Sequence, residues 1–136
     1  MAIVYVAGPI FNTHERWYLE QIAARLEQAG YETFLPHRDV GVIGEFTPAE
    51  RARIFQADLS ALDACAFCVA LLTGADHDSG TCVELGYLFA RGKLCFGTTD
   101  DRRWMNNMVW GVCEGGQRIV TRLDDLLPLI QRTLGT

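Results

Sequence analysis

Five short apolar runs, each separated from the next by a stretch long enough for a helix, are what most constrain the fold of this chain. Residues 2–7, 32–35, 65–72, 94–97 and 118–120 read as strands. The run 65–72 is the most apolar, which suits a central strand covered on both faces. Helix signals fill the gaps. Asn12 followed by Glu15 marks a start, Leu19, Ile22, Ala23 and Leu26 share a face, and Gly30 closes the segment. Thr47, Pro48 and Glu50 open a second helix, continued by an apolar stripe of Ile54, Phe55, Leu59 and Leu62. A third opens near Ser79 and Gly80 and closes at Gly92, and Asp124 or Asp125 caps a last one that tolerates Pro128 in its first turn. Residues 37–46 and 98–117 lack periodicity and read as loops, the second long enough to carry function. Strands alternating with helices predict an α/β protein: a five-stranded parallel sheet with helices on both faces, in three layers.

With 136 residues, the chain has room for a single domain, 1–136. Hydrophobic residues at 49% and charged residues at 21% exclude disorder. A net charge of −5 argues against a nucleic acid polymer as partner. No apolar run approaches the roughly 18 residues of a membrane span, so no membrane association is expected. The opening MAIVYVAGP has no basic leader and does not read as a signal peptide. Five cysteines, an odd number at low density, suit a reducing compartment, and the expected location is cytoplasmic. Cys65 and Cys68 form a Cys-x-x-Cys pair open to a redox or zinc reading. No second pair or paired histidines complete a tetrahedral set, so small core hydrophobes are the better account. His14, His37 and His77 are isolated, and no metal site is expected.

In such a sheet, ligands bind beyond the carboxyl ends of the strands, where strand order reverses. The first strand delivers Tyr5, Gly8, Pro9 and Phe11 there, its glycine allowing a ligand to approach the backbone. The central strand leads to Asp78, Ser79, Gly80 and Glu84, and the fourth to the loop holding Asp100, Asp101, Arg102 and Asn106. Neither a dinucleotide nor a P-loop fingerprint follows any strand. What remains is an acidic pocket to which Asp58, Asp78 and Glu84 can converge. Glu84 falls in the second turn of its helix, near the positive end of the dipole, which favours an ionised carboxylate and hence a nucleophile. Apolar Val83 and Leu85 on either side suggest a mostly buried helix. Asp78 serves equally as the helix cap, and both roles can coexist. Trp104 and Trp110 either stack on a flat ring or cover an interface.

The segments YVAGPIF, FLP, QADLSALD, DSGTCVELGY and NNMVWG resemble the nucleoside 2-deoxyribosyltransferases in content, order and spacing, over about residues 3–111. The resemblance implies a flavodoxin-like doubly wound fold and transfer of 2-deoxyribose between nucleobases through a covalent glutamate intermediate. It assigns the nucleophile to Glu84, its holder to Tyr5, and nucleoside positioning with proton transfer to Asp58 and Asp78. Gly8, Pro9, Phe11, Ser79 and Gly80 are the expected substrate contacts. Asn106 and Met108 are expected to reach a neighbouring subunit's site, Asn106 toward the sugar hydroxyls, which implies a homo-oligomer, a dimer or a multiple of dimers. The segment 37–46 lies where the family contacts the base, so His37, Arg38 and Asp39 become candidates for base preference. The implied substrates are deoxynucleosides and free nucleobases, with no cofactor. The alternative within the superfamily, a 2'-deoxynucleoside 5'-monophosphate N-hydrolase, needs hydroxyl and basic groups after the first strand, where this chain has Pro9-Ile10-Phe11-Asn12-Thr13. A non-catalytic nucleoside-binding module is the remaining alternative, and it has no use for a nucleophile.

Overall fold

Alternation along the first strand sets up two cores at once: Val4 and Val6 face one side of the sheet, Tyr5 and Ala7 the other. This computed structural model describes residues 2–41, 44–74, 76–100 and 104–136. Strands β1 (Ile3–Ala7), β2 (Glu32–Phe34), β3 (Phe67–Leu71), β4 (Leu94–Thr98) and β5 (Ile119–Val120) form one parallel sheet in the order β2-β1-β3-β4-β5. Every residue of β3 is buried, as a central strand requires. On the Val4 side lie helices α1 (Thr13–Gln28) and α6 (Leu126–Leu134), contributing Leu19, Ile22, Leu26 and Ile130 to the core. The Tyr5 side is covered by α3 (Pro48–Ala64), α4 (Ser79–Ala90) and α5 (Asn107–Val112) through Leu62, Leu85, Leu88 and Val109. The result is the flavodoxin-like α/β arrangement, with strand order reversing between β1 and β3. No helix among the described residues is long and apolar enough to cross a membrane.

Register lines up Phe34, Tyr5, Cys68 and Cys95 across four strands. Large residues thus give way to small ones along one row, with Phe34 stacked on Tyr5 at 5.4 Å. The row explains the cysteine pair: Cys68 fills this layer and Cys65 ends α3, both buried and both free thiols.

Helix starts follow the sequence signals closely. The Glu15 N–H donates to Asn12 Oδ1 at 2.9 Å, and Glu15 Oε1 accepts from the Phe11 N–H at 3.0 Å, a reciprocal cap. Thr47 accepts from the Glu50 N–H at 3.2 Å.

Other expectations need correcting. The 37–46 loop overlaps a short helix, α2 (Pro36–Asp39), because Asp39 Oδ2 takes the Leu35 N–H at 2.9 Å and stabilises a turn at the proline. Part of the 98–117 loop is α5, capped by Asn106. Asp125 stands at the N-cap position of α6 but its side chain makes no capping hydrogen bond: Leu123–Asp125 forms a 3-10 turn, and Asp124 pairs with Arg25. The α3 stripe buries only Leu62, leaving Phe55 60% exposed.

Candidate active site

Tyr5 and Glu84, 79 residues apart in sequence, meet because β1 ends at the reversal point and α4 crosses above it. The Tyr5 hydroxyl donates to Glu84 Oε2. Tyr5 is fully buried, and burial, reinforced by the Glu84 charge, pushes its phenol far above the ordinary range, so it serves as a hydrogen-bond donor and not as an acid. From α3, Asp58 adds a carboxyl whose Oδ1 is buried without a hydrogen-bond partner. Desolvation raises its pKa to about 6. From the start of α4, Asp78 contributes a second acid whose Oδ2 accepts from both the N–H and the hydroxyl of Thr81, each at 2.9 Å.

Glu84 departs from the sequence reading in its charge. Its pKa rises to about 7, first by burial, then through the charges of Asp58 and Asp78, with only the Tyr5 hydrogen bond pulling downward. The helix dipole fades within the first turn, whereas desolvation acts wherever water is excluded, so burial prevails. The surroundings differ as well: Leu85 is buried, but Val83 is 71% exposed, so α4 is covered on one side only.

The expected substrate contacts divide. At Gly8 packing alone already requires a glycine: a Cβ there would lie 2.7 Å from Leu19 Cδ2 and 3.0 Å from Leu71 Cβ. Pro9 is buried, while Phe11 is 76% exposed. Ser79 and Gly80 lie exposed in the first turn of α4, and a Cβ on Gly80 would come within 3.3 Å of Asp78 Oδ2. Arg38 and Asp39 are committed to the sheet edge, where Arg38 bonds Glu27, the Thr33 carbonyl and Asp39, and His37 pairs with Glu20 at 3.1 Å.

Asn106 and Met108 are not brought to Glu84 of their own chain. With Trp104, His77 and Cys82 they line a separate cavity of about 400 Å³ on the other flank of α4. Asn106 Oδ1 accepts from the Met108 N–H at 2.8 Å, capping α5, which leaves its amide NH₂ free of that task. The Trp110 indole covers the turn at Gly115 and Gly116, a structural use; Trp104 is 73% exposed. Asp101 and Arg102 lie outside the described residues. No group of three or more His, Cys, Asp or Glu side chains suited to a metal ion occurs among the described residues. Thr81 escaped the sequence reading, although its place three residues after the Asp78 cap is the spacing at which a cap is reciprocated.

The fold is shared with solved structures. A conserved protein from Enterococcus faecalis superposes with a TM-score of 0.81 at 23% identity, covering 98% of this chain and 99% of that one. A 2-deoxyribosyltransferase from Bacillus psychrosaccharolyticus gives 0.81 at 20% identity, covering 92% and 90%. A CMP N-glycosidase from Clostridium botulinum gives 0.65 at 17% identity, covering 95% and 98%. No curated protein sequence matches the chain. The family model for nucleoside 2-deoxyribosyltransferase matches residues 4–122, a span that includes Tyr5, Asp58, Asp78 and Glu84, and the chain belongs to that family.

Proposed function

We propose that the protein transfers 2-deoxyribose between nucleobases with net retention, through a deoxyribosyl ester of Glu84, and that slow hydrolysis accompanies transfer. The observation that carries this reading is the Tyr5–Glu84 pair, a carboxyl shielded from water and aimed by a phenol, with the unpartnered Asp58 beside it. Membership of the family supports an enzyme acting on nucleoside N-glycosidic bonds.

Breaking such a bond develops positive charge at the anomeric carbon, which a nearby carboxylate stabilises and then captures. With Oε2 bonded to Tyr5, Oε1 of Glu84 is the attacking oxygen. As its bond to the anomeric carbon forms, the carbon–nitrogen bond breaks and its electron pair leaves with the base, which takes a proton from Asp58. An incoming base then attacks the same carbon, expels the Glu84 carboxylate and returns its proton to Asp58. The atoms balance without a cofactor. Asp78 holds the sugar, and Asn106 and Met108 complete the site of a second copy.

This mechanism requires Glu84 ionised and Asp58 protonated together. With a pKa of about 7 for Glu84 and about 6 for Asp58, that reactive form is the minor of the two singly protonated states, and it is most populated between those values. The kcat/KM profile should therefore be a bell with its maximum between about pH 6 and 7. Asp58→Asn should remove the alkaline limb. A flat profile across this range contradicts the assignment.

The test of the reading is to supply deoxyadenosine or deoxycytidine with and without an acceptor base, beside the corresponding 5'-monophosphates. Formation of a new deoxynucleoside marks a transferase. Base release from monophosphates alone marks the hydrolase, and absence of both marks a binding module.

A further inference from the structure

We propose that Thr81 is a positioning residue for the reaction, its hydroxyl fixing Oδ2 of Asp78 so that Oδ1 is the oxygen presented to the sugar. The inference rests on the functional reading above, in which Asp78 holds the substrate. Thr81 is 1% exposed, so its hydroxyl has no competing water. It donates to Oδ2 at 2.9 Å, and the backbone N–H of the same residue donates to the same oxygen at the same distance. A helix cap needs only the backbone bond. The second bond restricts rotation of the carboxylate and saturates one of its two oxygens. Gly80 leaves room for this seat, since a Cβ there would crowd that oxygen at 3.3 Å. Asp78 is thus held by one edge, as a group that must meet a ligand in one orientation has to be.

Two variants separate the hydroxyl from the cap. Thr81→Val keeps the volume and the backbone N–H while removing the hydroxyl; Thr81→Ser keeps the hydroxyl. With deoxynucleoside as substrate, Thr81→Val should lower kcat/KM about tenfold, the scale of one hydrogen bond to a charged group. Thr81→Ser should return it to near wild type. In an Asp78→Ala background, Thr81→Val should have no further effect, because its action passes through that carboxyl. A second readout needs no substrate: the Asp78 χ1 angle, read from NMR three-bond couplings, should hold one rotamer in wild type and Thr81→Ser and average over several in Thr81→Val. A single rotamer kept in Thr81→Val, or losses that add in the double variant, overturns the proposal. If the wild type neither exchanges nor releases a base, the functional reading falls, while the NMR couplings still decide whether Thr81 holds Asp78.

Discussion

Glu84→Ala should lower the rate of sugar transfer by on the order of 10⁴-fold or more while the protein still folds. The size follows from the loss of the covalent route, since no other carboxyl of the site is bonded to Tyr5. Asp58 approaches from α3, and Asp78 is tied by one oxygen to Thr81, so neither is placed to substitute. The fold should survive because the carboxyl removed is one that burial already disfavours. The Tyr5 hydroxyl is left without its acceptor, a cost of about 1–3 kcal/mol set against that relief. A 2-fluoro-2-deoxy nucleoside, whose fluorine slows release of the ester, should leave a sugar adduct on the peptide containing residue 84. Mass spectrometry that places the adduct elsewhere refutes the nucleophile assignment.

A mixture of two inactive variants should regain about a quarter of wild-type activity if the site is shared between subunits. The variants are Glu84→Ala and Asn106→Asp; the second keeps the oxygen that caps α5 and removes the amide donor. The structure motivates the pairing in two ways. Asn106 lies across α4 from the Glu84 of its own chain, and Trp104 and Met108 beside it are 73% and 76% exposed, apolar surface that a second copy would cover. In a mixed dimer, one site carries both defects and the other neither. Random exchange makes about half the dimers mixed, each with one good site of two. Were Asn106 to act within its own chain, every site would hold one defect and mixing would restore nothing. Native mass spectrometry of differently tagged chains establishes that exchange has occurred. No recovery after proven exchange rejects the shared site.

The parts of this molecule that could be read from sequence are those governed by short range. The strands announce themselves by apolar runs, and the caps at Asn12, Thr47 and Asp78 by a partner three residues on. Failures occurred where one residue serves two grammars. Pro36 ends a strand and begins α2 equally well, and the Asp39 bond to Leu35 decides. At Gly8, the need to make room for Leu19, a residue of the next helix, has no local pattern to announce it. Helix α5 spans six residues, too few for periodicity to show. For the site, Glu84 stood out by its place after the DSGT turn, but its pairing with Tyr5 came only through family resemblance, because a contact across 79 residues has no local signature. Its raised pKa had no local signature either. A dipole belongs to the helix and can be inferred from it, whereas burial belongs to everything packed around it.

The protons held by Glu84 and Asp58 also tie the folding equilibrium to acidity. In an unfolded chain both carboxyls titrate near the ordinary value of about 4; in the native state they do so at about 7 and about 6. Between those limits the native state binds more protons, so its advantage is complete below the unfolded values and is lost as pH rises through the folded ones. Glu27, whose pKa is lowered by Thr33 and then by Arg38, acts in the opposite sense, stabilising above the ordinary carboxylate range and failing in acid. Resistance to heat should therefore peak in mild acid, near about pH 5, and decline toward pH 8. Glu84→Gln, which retains an acceptor for Tyr5 but has nothing to ionise, should flatten much of that decline. Alkalinity thus strains the native state at the very carboxyls that prepare it for chemistry.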